Sequence, residues 1–119
     1  MPASSEQPLS LTGRAITHLA AAKETATGCH VQTVHQGKGL HQLLITLPAS
    51  HRLGEHENPG DATLVVLLGR VVLTSSAEST TGQAGDLLLV PGTHHDLRAI
   101  EDSIVLLTIA RSHENQAHS

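Results

Sequence analysis

The chain contains no phenylalanine, tyrosine or tryptophan. Its core must therefore be filled by Leu, Val, Ile and Ala, and the stacking platforms that hold unpaired nucleobases are missing. Lys and Arg total seven against eleven Asp and Glu, a net charge of −4 with His neutral. The basic residues are scattered singly, so no stripe exists to follow a phosphate backbone. Nucleic acid is not an expected partner. A single cysteine, Cys29, rules out an internal disulfide. No apolar run approaches the roughly 18 residues that cross a bilayer as a helix, and no membrane partner is expected. The opening Met1-Pro2-Ala3-Ser4-Ser5-Glu6-Gln7 shows neither the basic start nor the apolar stretch of a secretory signal. The expected location is the cytoplasm.

What is present fits one domain with one core: 119 residues, 39% of them apolar. Residues 1–9 read as a flexible tail. Over 10–28 the pattern is helical, with Leu11, Ala15, Ile16, Leu19 and Ala20 at helix spacing, Ser10 or Thr12 as cap and Gly28 as stop. From 29 to 111 the period is that of strands. Val31–Val34, Leu40–Leu47, Leu53–Asn58, Ala62–Leu68, Val71–Thr74, Leu87–Val90, His95–Ile100 and Ser103–Ala110 are separated by turn chemistry such as Asn58-Pro59-Gly60-Asp61. Ser75–Gly82 reads as a polar loop, and residues 112–119 as a second tail. Many short strands with frequent turns predict a sandwich or barrel with no βαβ units. Strands such as Leu64-Val65-Val66-Leu67-Leu68 are apolar on both faces, so their outer face needs a cover: the helix, or a second subunit.

Ten histidines invite a metal hypothesis. His18, His30, His35, His41, His113 and His118 read as scattered surface residues. Two segments stand apart. One runs Glu55-His56-Glu57-Asn58-Pro59-Gly60, continues through an apolar strand and closes on Gly69. The other starts at Gly85-Asp86, crosses Leu87-Leu88-Leu89-Val90 and reaches Pro91-Gly92-Thr93-His94-His95. In this order they resemble the two motifs of the cupin superfamily, over roughly Leu40 to Ala110. The resemblance implies an all-β cupin double-stranded β-helix, a jelly-roll barrel, with an N-terminal α-helix packed outside it. It also implies a divalent metal held by two His, a Glu and a third His. Residue by residue, the first His is His56, while Asn58 takes the place of the second and Ala62 that of the Glu. His95 corresponds to the closing His, after a Pro-to-His segment one residue shorter than usual; His94 should point outward by alternation. Two of the four implied ligands remain.

Three readings of His56 and His95 stay open at this point. They form a weak site for a transition metal such as Zn, Ni, Fe or Cu, completed by Asn58, Gln42 or water. Alternatively, with Gln42 and Asn58, they hydrogen-bond a small ligand in a barrel without metal. Thirdly, they are structural. No nucleophile is set beside a base, and Gly37-Lys38-Gly39 is too short for a phosphate loop. The expected function is therefore small-molecule binding without turnover. The alternative is a divalent-metal enzyme of dioxygenase or isomerase type on His56 and His95. A homodimer is expected from the apolar outer faces.

Overall fold

The computed structural model describes residues 8–23, 28–56, 61–75, 78–90 and 95–110. Residues 1–7 of the expected N-terminal tail, the C-terminal tail 112–119 and Asn58 lie outside these residues. One helix, α1 (Leu11–Lys23), precedes nine strands: β1 (His30–Gln36), β2 (Leu40–Leu47), β3 (Arg52–His56), β4 (Ala62–Leu68), β5 (Arg70–Ser75), β6 (Ser79–Gln83), β7 (Leu87–Val90), β8 (His95–Ala99) and β9 (Ser103–Ala110). Ser10 caps α1 by accepting a hydrogen bond from the Gly13 N–H at 3.1 Å. The strands form two antiparallel sheets, ordered β1-β2-β9-β4-β7 and β3-β8-β5-β6.

The inner faces of both sheets meet in one apolar core. Ile45 and Leu47 enter it from β2, Ala62, Leu64 and Val66 from β4, Val105 from β9, and Val71, Leu73, Leu97 and Ala99 from the smaller sheet. Aliphatic side chains alone fill it, as the absence of aromatics requires. On the outer face of the larger sheet, Leu44 and Ile104 form a second cluster with Leu11 of the helix, Val34 and Leu67. Thus β2 is buried on both sides from Leu44 to Leu47, and α1 supplies the cover for one part of the sheet.

One expectation is corrected. Ser75–Gly82 contains a strand, β6, which pairs with β5 from Arg70↔Gln83 to Thr74↔Ser79. It is an edge strand with four of its five residues exposed. Half-exposed edges do not require apolar alternation, and the β-branched Thr80 and Thr81 suit a strand as well as they suit a loop.

Candidate functional site

Chain connections define the two ends of the barrel. Residues 57–60 link the end of β3 to the start of β4, and 91–94 link the end of β7 to the start of β8. His56, Ala62, Val90 and His95 therefore stand at one end, the mouth. At the opposite end the turns close tightly. Gly69 has φ +86, and a Cβ there would collide with the Asp102 carbonyl oxygen and the Ser103 hydroxyl. Ser103, fully buried, accepts from the Arg70 N–H at 3.0 Å and donates to the Arg70 and Glu101 carbonyls at 3.1 and 2.7 Å; one hydroxyl proton serves these two acceptors in turn. Asp102 Oδ1 accepts from the Ala49 N–H at 2.9 Å.

At the mouth, the smaller sheet carries His56, His95 and Ser75 in one register row, with His95 between the other two. His95 is 8% exposed and alternates with Leu97 and Ala99, so it lies on the core face. The pairing of His56 with His95 depends on a bulge. β3 is in register with β8 at Leu53↔Leu97, and the register then shifts by one residue so that His56, not Glu55, stands opposite His95. Backbone alone is described for His56. Asp96 points to the other face, where it forms an ion pair with the exposed Arg52 at 2.7 Å; a pair this open adds little stability, but it ties β3 to β8 just below the bulge. Ser75 lines a cleft of about 220 Å³ with Leu73, Glu78, Thr80 and Leu89.

The larger sheet contributes a different row at the same end: His41, Ile109, Ala62 and Val90 across β2, β9, β4 and β7. Ala62 is 6% exposed and lies between Ile109 and Val90, so the position of the family's carboxylate is an apolar one. Gln42 is not part of this row. It shares the outer face with Leu44, donates from Nε2 to Thr108 Oγ1 at 3.1 Å, and lines a groove with Leu9, Leu11, Val34, His35, Leu40 and Leu106. The expectation that Gln42 completes the barrel site is therefore corrected: strand parity turns it away, and its neighbour His41 takes the inward position. The sequence alone reads His41 as a surface residue; in the structure it is half-buried. The signal that finds it is the register itself, since Leu43, Ile45 and Leu47 on the same face all pack on the core. His35 is exposed, as expected, and His30 is half-buried on the outer face of β1.

Cys29 packs against the core, and burial raises its thiol above the usual range. It stays protonated near neutral pH and makes a poor nucleophile or ligand.

No protein-family model matches the chain, and no curated protein matches it significantly. Solved structures do. A conserved protein of unknown function from Streptococcus pyogenes is similar over 89% of this chain and 88% of its own, with TM-score 0.70 and 24% identity. A cupin superfamily protein from Desulfitobacterium hafniense matches 71% of this chain and 78% of its own, with TM-score 0.66 and 19% identity. An RmlC-like cupin from Desulfovibrio desulfuricans matches 69% and 81%, with TM-score 0.64 and 28% identity. The chain has the cupin fold.

The fold implies a metal, and the donors present do not fit its usual set. A methyl group stands where the carboxylate would be, and no three His, Cys, Asp or Glu side chains cluster among the described residues. Structural metal sites normally use four protein ligands and catalytic ones three.

Proposed function

We propose that this protein binds a small molecule in the mouth of its barrel, without turnover, through His56, His95 and Asn58. The observation that carries this reading is Ala62, buried between the apolar Ile109 and Val90 at the carboxylate position. Loss of that anion removes the charge that balances a dication and leaves hydrogen-bonding side chains at an end of the barrel that also carries Ala62, Ile109 and Val90, the usual composition of a small-ligand site. A second reading, a divalent-metal enzyme of dioxygenase or isomerase type on His56 and His95, draws on the bulge that brings these two residues into register. The test is a thermal-shift screen of small metabolites in the presence of a chelator. Under the first reading at least one compound raises the melting temperature of the wild type and leaves His95→Ala unmoved; a ligand at about 100 times its Kd adds roughly 2.7 kcal/mol of stability. Response only after metal loading favours the second.

The reading includes a homodimer in the cytoplasm. Its support is the outer face of β4 and β7, where Leu87 is 57% and Leu89 is 76% exposed beside Val65. The helix packs over β1 and β2 and leaves this strip open. Sedimentation at twice the chain mass of 12.5 kDa is expected; a monomer at micromolar concentration would reject the dimer.

A further inference from the structure

Two edge strands of this barrel meet without joining. β6 ends the smaller sheet, β7 ends the larger, and no backbone ladder connects them. Toward the closed end they touch through side chains: Gly82 is buried, and a Cβ added there would come within 3.1 Å of the Leu88 side chain. Nearer the mouth the seam opens into the cleft of about 220 Å³ lined by Leu73, Ser75, Glu78, Thr80 and Leu89. Leu73 is 5% exposed and belongs to the core, so the cleft reaches apolar ground. Thr80 stands opposite Leu73 in register and shares its face, as does Ser75 two residues further along β5.

The polar groups of the cleft are mainly acceptors. Ser75 donates its hydroxyl proton to the Glu78 carbonyl at 3.3 Å, and its N–H donates to the same carbonyl at 2.9 Å. Two bonds thus fix the lip that carries Glu78, and the Ser75 oxygen is left with lone pairs alone to offer. Among the described residues no hydrogen bond or ion pair engages the Glu78 carboxylate or the Thr80 hydroxyl. Glu78 is the one charged residue of the lining. The stretches that flank the cleft in sequence, Ser76-Ala77 and Pro91-Gly92-Thr93-His94, contain no Lys or Arg to neutralise it. A carboxylate, two hydroxyl oxygens and apolar walls suit a group with positive charge and several donors, and a primary ammonium offers three N–H. The chain's net charge of −4 also favours a cation at longer range. The cleft is smaller than the roughly 300 Å³ at which pockets for drug-sized ligands begin, so its ligand has few heavy atoms.

We propose that this cleft is a site for a small aliphatic primary amine. The ammonium is held by the Glu78 carboxylate with the Ser75 and Thr80 oxygens, and the alkyl chain lies against Leu73 and Leu89. The assignment draws on none of His56, His95 and Asn58, so it stands or falls separately from the mouth-binding reading.

The test follows the backbone amide NMR signals of the full, nitrogen-labelled chain at constant pH and ionic strength. Three probes are titrated separately: n-butylamine, butyramide and sodium butyrate. The expected result is saturable movement of the Thr80 and Leu89 amides with butylamine, binding of butyramide weaker by about tenfold or more, a difference of about 1.4 kcal/mol, and no saturation with butyrate. Glu78 is exposed, so Glu78→Gln should fold normally and lose a similar factor for butylamine. Glu101→Gln removes the same charge from an exposed position at the closed end and should lose nothing. Butyramide or butyrate binding as tightly as butylamine, or Glu78→Gln within about twofold of wild type, would overturn the assignment. So would amide movements that sodium chloride reproduces. Leu89 also belongs to the strip read as the dimer face. If Glu78→Gln turns a dimer into a monomer in sedimentation and butylamine does not bind the wild type, the cation that meets Glu78 belongs to a second copy, and the small-amine assignment falls.

Discussion

The two ends of this barrel are built from different materials. At the closed end, two buried or half-buried polar side chains tie down backbone: the Ser103 hydroxyl serves the Arg70 N–H and two carbonyls, Asp102 holds the Ala49 N–H, and Gly69 is shaped to let the chain pass against both. At the mouth, imidazoles and hydroxyls face an interior whose carboxylate position is a methyl group. Buried polar groups that are fully bonded within the chain hold a turn in place. On the proposed reading, stability and recognition are segregated along the barrel axis, and the contrast can be broken by exchanging the properties of the two ends.

The largest effect is expected at the closed end. Gly69→Ala requires a side chain at φ +86 and puts its Cβ into the Asp102–Ser103 backbone; a loss of roughly 3–4 kcal/mol in denaturant unfolding is expected from strain and overlap together. At the mouth, the pair Asn58→His and Ala62→Glu rebuilds the family's ligand set. Transition-metal affinity should rise by about two orders of magnitude or more, equivalent to about 2.7 kcal/mol, read by calorimetry with Zn²⁺ or Ni²⁺. Without metal the same pair should destabilise the fold, since the new carboxylate sits between Ile109 and Val90. An unchanged metal affinity would mean that the four positions do not converge.

A smaller contrast compares two serines. Ser103→Ala removes the partner of the half-buried Arg70 N–H and should cost about 1–2 kcal/mol. Ser75→Ala at the mouth should cost less than about 0.5 kcal/mol while weakening ligand binding. Equal losses would dissolve the distinction between the ends. The smallest effect concerns Cys29. Its folded-state thiol is held above the usual range by burial, so the stability it contributes is complete below the unfolded thiol's pKa and is lost as pH rises through the higher folded value. Cys29→Ala should flatten the alkaline limb of a stability–pH profile and leave the neutral region unchanged.

Much of the fold was legible because turn chemistry is local. Gly69, Gly85-Asp86 and the helical spacing from Leu11 each mark a boundary without help from the rest of the chain. The edge strand β6 was not legible, since Ser, Thr and Gly suit an exposed strand and a loop alike. His56 and His95 were legible as a pair through the resemblance, although the bulge at residues 54–55 that sets them opposite each other has no signal in Leu53-Gly54-Glu55. The choice between His41 and Gln42 was not legible for a physical reason. β2 is covered on both faces, so Leu43, Leu44 and Ile45 are all apolar and the alternation that would reveal the inward side disappears. Register with β9 supplies that information, and register is a long-range property.

The central claim is that the mouth has lost its firm metal and kept a ligand site. The most direct measurement is elemental analysis of the protein purified without a histidine tag and dialysed without chelator. The account predicts transition metal well below one equivalent per chain. One full equivalent of a single metal, retained through dialysis, would contradict it.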